Sequence, residues 1–268
     1  MGQSIDNIID QRDDNADIEI VGKLAITRNI LGEEDASSLN RNRVAGLANG
    51  GRLANFESTW VFQLLSILRP DTKRSMVDSI FDNITIVNFN YDRTVEALIP
   101  IGLSEIYGLT EQEAIECGSK LKIFHPYGQV GRLPGYSTPE GAVVPFGLLD
   151  TMQAPVIAAS IRTFGESIAE SDVAMIRQAI GEARNLVFLG FGFHRQNMRL
   201  LSPLSNEGQK RVFATVFDMS SPAIAEVHEM CRTLCLAGNG GLPFSIQTTP
   251  QLSAQFLKDY ALPLTAPI

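Results

Sequence analysis

The sequence predicts an α/β fold, with a mainly parallel sheet flanked by helices and a helical region at the N-terminus. Three observations predict it. Positions up to 80 carry apolar residues at helical spacing and no strand pattern. Beyond them, short apolar and β-branched runs occur at 83–89, 121–124, 185–189 and 211–217. Helical segments of about ten or more residues separate these runs, which is the pattern of βαβ units and a parallel sheet.

The elements follow in order. In 18–31, Ile20, Val21, Leu24, Ala25, Ile30 and Leu31 recur at helical spacing and predict a broad buried stripe. The polar, Gly- and Asn-rich stretch 33–55 is expected to be a loop. A second helix is expected over 58–68, with Trp60, Leu64 and Ile67 on one side and Pro70 closing it. The run 83–89 suits a strand buried on both faces, and 121–124 is a weaker strand. Thr110 and Glu113 stand in capping-box spacing at the start of the helix between them. The stretch 128–149, rich in Gly and Pro, predicts a long excursion at the rim of a cleft. Helices are expected over 154–168 and 172–183, and a further one opens with Ser221 as cap and Pro222 in its first turn.

Composition narrows the function classes. The net charge is −8 and the basic residues are scattered, so the basic stripe of a nucleic-acid binder is absent. No run of some ~18 apolar residues occurs, so no membrane span is expected. The first residues lack the basic flank and apolar stretch of a signal peptide, and Asp6 breaks the myristoylation pattern. The three cysteines, Cys117, Cys231 and Cys235, are too few and unevenly placed for a disulfide framework, so a cytoplasmic setting is expected. The sequence is compatible with a homo-oligomer.

In open parallel sheets, ligands sit beyond the carboxyl ends of the strands, so the residues there are the candidates. After 83–89 come Asn90, Tyr91 and Asp92, whose amide and carboxylate can bind ligand hydroxyls; either can equally cap the helix that follows. After 121–124 come His125, Pro126, Tyr127 and Gly128, a turn that holds an imidazole at a strand end. An imidazole suits general-base work near neutral pH, although a lone histidine can also be structural. After 185–189 come Gly190 and Gly192, which let a backbone approach a phosphate or ribose closely. Arg195 stands where the third glycine of the dinucleotide fingerprint would be, and a plain tight turn is the other reading. After 211–217 comes Asp218, placed either to bind a ribose diol or to face a helix N-terminus. His228, Cys231 and Cys235 share one helix face, but packing explains them better than zinc, and no metal is expected.

Taken in order, Ile86-Val87-Asn88-Phe89-Asn90-Tyr91-Asp92, His125 with Gly128, and Leu186-Val187-Phe188-Leu189-Gly190-Phe191-Gly192 resemble the sirtuin-like domains of bacterial anti-phage defence proteins. The opening Ser4-Ile5-Asp6-Asn7 through Lys23-Leu24-Ala25-Ile26 is similar to the helical region that precedes the Asn-x-Asp strand in that group. The resemblance implies a single Rossmann-like, sirtuin-like NAD-binding domain over 1–268. It further implies cleavage of NAD, as substrate, to nicotinamide and ADP-ribose. Asn90 matches the asparagine that positions the attacking water or the ribose hydroxyls, and Asp92 the aspartate that holds the nicotinamide carboxamide. His125 matches the general base, and Gly190 and Gly192 match the turn on the adenosine side.

Two departures shape the expectation. Protein deacetylases of the superfamily carry two Cys-x-x-Cys pairs on a small zinc module, and this chain has none, so lysine deacetylation is disfavoured. The family's Gly-Ala-Gly-x-Ser phosphate loop does not occur in 1–35, so the domain is expected to lack its first strand and Gly-rich loop, through N-terminal truncation or degeneration, and to bind NAD less tightly. The alternative is a catalytically weak or inactive domain that binds NAD or ADP-ribose and regulates a larger defence protein. A purely structural domain and an unrelated nucleotide-dependent hydrolase complete the set.

Overall fold

Helices and parallel strands alternate as the sequence predicts. The computed structural model describes residues 5–12, 14–37, 40, 56–136, 142–148, 152–163, 166, 168–238 and 243–267. In chain order the helices are Ile5–Gln11 (α1), Ala16–Ala36 (α2), Trp60–Leu68 (α3), Thr94–Tyr107 (α4), Glu111–Gly118 (α5), Ala154–Ala158 (α6), Glu170–Glu182 (α7), Arg195–Leu201 (α8), Ser221–Leu236 (α9), Ser253–Asp259 (α10) and Ala261–Thr265 (α11). The strands are Thr85–Val87 (β1), Lys122–Phe124 (β2), Asn185–Phe188 (β3), Lys210–Thr215 (β4) and Phe244–Thr249 (β5). Every strand pair among the described residues is parallel. Among them, no helix is long and apolar enough to cross a membrane.

The chain divides into two compact units: Met1–Glu57 with Arg69–Ile168, and Ser58–Leu68 with Ala169–Ile268. In the first, β1 pairs with β2 in the register Val87↔Phe124, and α4 and α5 make the crossover. Its apolar core joins Ile9, Ile26, Leu31, Val130, Val144, Ile157 and Ile161, all buried. In the second, the sheet order is β3-β4-β5. Phe213, Phe256 and Leu257 form a buried cluster against which Trp60, Leu64 and Ile67 of α3 pack, the side the sequence predicts. Each such fully buried apolar side chain stabilises the fold by about 1.5–3 kcal/mol.

Several boundaries differ from expectation. In α2 the buried residues are Lys23, Ile26, Thr27, Leu31 and Glu34, whereas Ile20 and Val21 are exposed. Three polar residues, Lys23, Thr27 and Glu34, therefore occupy the inner side, where hydrogen bonds and ion pairs stand in for apolar packing. The helix runs to Ala36, into the expected loop; 38–39 and 41–55 of that loop lie outside the described residues. The helix expected over 154–168 ends at Ala158. There the Ser160 hydroxyl donates to the Gln129 carbonyl (2.7 Å) and Arg162 N–H to the Tyr127 carbonyl (2.8 Å), drawing the chain alongside 127–129. In β1, Thr85 is exposed and Ile86 and Val87 are half-buried, so the strand is not covered on both faces. The cap of α9 is Ser220, one residue earlier than expected, and its side chain makes no capping bond. The capping box at Thr110 and Glu113 forms as predicted.

One polar contact ties the first unit together. Arg93 is fully buried at the start of α4, and its guanidinium meets the Glu34 carboxylate on α2 through both Nε (3.1 Å) and Nη2. Nη1 donates to the Val144 carbonyl, and Gly147 N–H donates to Glu34 Oε2 (3.1 Å). Removing one member of a buried pair strands the other charge in an apolar setting. Glu34→Ala is therefore expected to lower unfolding stability by about 3–5 kcal/mol, measured by urea denaturation of the purified chain.

Candidate functional site

The first candidate residues sit where β1 gives way to α4. Asn88 N–H still donates to the Phe124 carbonyl (2.8 Å), extending the β1–β2 pairing by one residue. The Asn88 side-chain oxygen then accepts from Asn90 N–H (3.0 Å), an Asx turn that ends the strand. Asp92 Oδ1 accepts from Thr94 N–H (3.0 Å), the first backbone N–H of α4, whose N-cap residue is Arg93. Val130 N–H donates to the Tyr91 carbonyl (3.1 Å), and the Tyr91 hydroxyl donates to the Arg162 carbonyl (2.9 Å). With Arg93 anchored to Glu34, the turn is held from several directions while Asn90 itself stays exposed.

His125 lies at the end of the neighbouring strand, on the same carboxyl edge. Gly128 N–H closes a turn onto the His125 carbonyl (2.9 Å). Gly128 has φ +76°, and a Cβ there would lie 1.9 Å from the Ser160 carbonyl oxygen, so this position requires glycine. The imidazole is thereby fixed beside the Asn90 turn, with Nδ1 3.3 Å from the Asn90 carbonyl oxygen and Nε2 2.8 Å from Glu96 Oε1. Both side chains of the His125–Glu96 pair are about nine-tenths buried.

Glu96 comes from the first turn of α4, and the backbone there has an unusual feature. Pro100 lies inside the helix and has no N–H for the Glu96 carbonyl. The Tyr136 hydroxyl donates to that carbonyl instead (2.8 Å). Burial is the main cause that pushes the Tyr136 phenol above its usual range, with the Glu96 charge adding to it, so Tyr136 remains a donor. Glu96 Oε2 is buried and has no hydrogen-bond partner among the described residues. An imidazole oriented by a carboxylate beside an exposed amide can position and deprotonate a ligand hydroxyl or a water.

The remaining candidates belong to the second unit. Gly190 follows β3 with φ +59°, and its N–H donates to Thr215 Oγ1 on β4 (2.9 Å). Gly192 is exposed, and Phe193 after it has φ +51°, a conformation that strains a bulky side chain. Phe188, Phe191 and Phe193 hold that turn as an aromatic trio with centroids 5.0–5.4 Å apart. Asp218 follows β4, exposed and with φ +57°, a region that Asp tolerates better than most residues. Gly190 and Asp218 thus lie on the carboxyl edge of adjacent parallel strands. Arg195 opens α8, exposed, with its guanidinium 3.4 Å from Glu226. A groove of about 270 Å³ runs between α8 and α9, lined by Arg195, Met198, Glu226 and Met230 among others.

Sequence reasoning missed Glu96, Arg93 and Glu34. A signal existed for the first: Glu96 is a lone charge in the apolar run Val95–Pro100, and a charge at such a place needs a partner.

The cysteines behave as packing residues. Among the described residues, no group of three His, Cys, Asp or Glu side chains could hold a metal ion. His228 Nε2 contacts Thr248 Oγ1 (3.1 Å), and burial pushes the Cys231 thiol up to about 12 and Cys117 up to about 11. Cys235 is raised by burial too. Thiolate is the reactive form, so the folded chain is expected to resist an aromatic disulfide reagent at neutral pH, and all three thiols are expected to react after unfolding in urea. Absorbance of the released thiolate measures both.

No family model, no curated protein and no solved structure matches this chain.

Proposed function

We propose that the chain is an NAD glycohydrolase that cleaves NAD to nicotinamide and ADP-ribose at the β1–β2 edge, in the manner of sirtuin-like anti-phage defence domains. The observation that carries this reading is the His125 imidazole lying 3.3 Å from the Asn90 carbonyl, on one strand edge with Asp92. In the proposed reaction a water oxygen bonds to C1′ of the nicotinamide ribose. The bond from C1′ to the pyridinium nitrogen breaks, and its electron pair returns to nitrogen, releasing neutral nicotinamide. The water proton passes to His125. Asn90 positions the water or the ribose hydroxyls, and Asp92 receives the carboxamide on the carboxylate oxygen not committed to Thr94. The gain comes from orientation and from acceptors already in place, because positive charge develops on the ribose as nicotinamide leaves. Gly190, Gly192 and Asp218, on the strand edge of the second unit, are candidates there for contacts to a ribose or a phosphate. The proposed setting is the cytoplasm, without metal.

A second reading has its own support: both ring nitrogens of His125 face protein oxygens, as in a histidine that stabilises a binding domain. That domain would bind NAD or ADP-ribose without turnover. Nicotinamide release separates the two. The hydrolase reading expects release by the wild type, a loss of about 10²–10⁴-fold in kcat for His125→Ala and a loss of at least about tenfold in kcat/KM for Asn90→Ala. Equal rates in all three would remove the residue roles. Calorimetric binding of NAD without nicotinamide release would select the binding domain.

A further inference from the structure

We infer that Glu96 is a positioning residue for His125: it holds the imidazole in the Nε2–H tautomer and so directs the Nδ1 lone pair to the rim beside Asn90. The inference depends on the function proposed above only for what the lone pair acts on.

A neutral imidazole carries one N–H, and the two ring nitrogens of His125 compete for it. Nε2 faces a carboxylate oxygen at 2.8 Å, within the range of a charge-assisted hydrogen bond. Nδ1 faces a carbonyl oxygen at 3.3 Å, beyond the usual N–H···O range. The nearer and stronger acceptor takes the hydrogen, and Nδ1 keeps its lone pair. The Asn90 carbonyl oxygen opposite Nδ1 cannot donate, so that lone pair is left for a ligand hydroxyl or a water at the rim beside Asn90.

The carboxylate is delivered from a rigid base. The Asp92 carboxylate holds the first N–H of α4, and the Tyr136 hydroxyl satisfies the Glu96 carbonyl that Pro100 leaves open. Packing alone would not select Glu96. Its neighbours Val95, Leu98 and Ile99 are buried and apolar, and an apolar side chain there would avoid a buried carboxylate whose Oε2 has no partner among the described residues. The cost is retained together with the bond to His125, which is the pattern of a carboxylate that orients a base.

The test uses the full chain with ¹⁵N-labelled histidines. Long-range ¹H–¹⁵N spectra at mildly alkaline pH report which ring nitrogen bears the proton, and His125→Gln assigns the signal among the three histidines. The wild type is expected to show His125 with Nε2 protonated and Nδ1 bare. In Glu96→Gln the side-chain amide can donate to Nε2 as well as accept from it. The Nδ1–H form is then expected to become populated, with the tautomer ratio falling at least about tenfold, equal to about 1.4 kcal/mol. A wild-type proton on Nδ1, or protons on both nitrogens throughout the accessible pH range, would overturn the inference. So would Glu96→Gln spectra identical to wild type at His125. If Glu96→Gln does not fold, judged by circular dichroism, the wild-type spectrum decides alone. Because the readout involves no NAD, an Nε2–H tautomer in a chain without nicotinamide release would uphold this inference while removing the hydrolase reading.

Discussion

The buried Arg93–Glu34 ion pair is the constraint on which the arrangement of the first unit depends. Arg93 immediately follows Asp92 in the chain, so fixing its guanidinium fixes the exit of β1. Its partners come from α2 and from the segment around Val144 and Gly147, so the pair joins both to the start of α4. Taking two charges out of water is costly unless nearly every polar atom is satisfied. Here one guanidinium reaches both carboxylate oxygens and a carbonyl, and the carboxylate receives a backbone N–H as well. Both side chains are withdrawn from water, Arg93 fully and Glu34 almost so.

Given that anchor, the chemistry at the strand edge follows from short-range rules. The Asx turn at Asn88 ends β1, the Asp92 carboxylate holds the first N–H of α4, and Gly128 turns the chain after β2 where a side chain would strike the Ser160 carbonyl. Asn90 and His125 are neighbours because each stands at the end of one of two parallel strands in register. The second unit repeats the device in another form. Its turns after β3 and β4 adopt positive φ at Gly190, Phe193 and Asp218, and aromatic packing holds the strained Phe193 in place.

Much of this was legible in the sequence, and the failures have physical causes. Ile86, Val87, Leu186 and Val212 announce strands because β-branched and aliphatic runs are short and bounded by polar turns. The strand-end positions of Asn90, His125, Gly190 and Asp218 followed from that reading. Ile20 and Val21 misled because helical spacing marks two possible faces, and the inner one carries Lys23, Thr27 and Glu34. β5 was missed because Ser245, Gln247, Thr248 and Thr249 dilute its apolar pattern, as befits a strand that is mostly half-buried. Long-range partners such as Glu34 for Arg93 and Glu96 for His125 leave little trace in local spacing, since each partnership is made by folding.

The central claim is that the ion pair holds the rim that carries Asn90 and His125. Hydrogen exchange of the amides of Thr94, Gly128 and Val130 in Glu34→Gln, compared with wild type under native conditions, tests it most directly. These amides are expected to lose more protection than those of β4, whose unit contains neither charge. Unchanged protection at the three amides, or a loss no larger than that of β4, would contradict it.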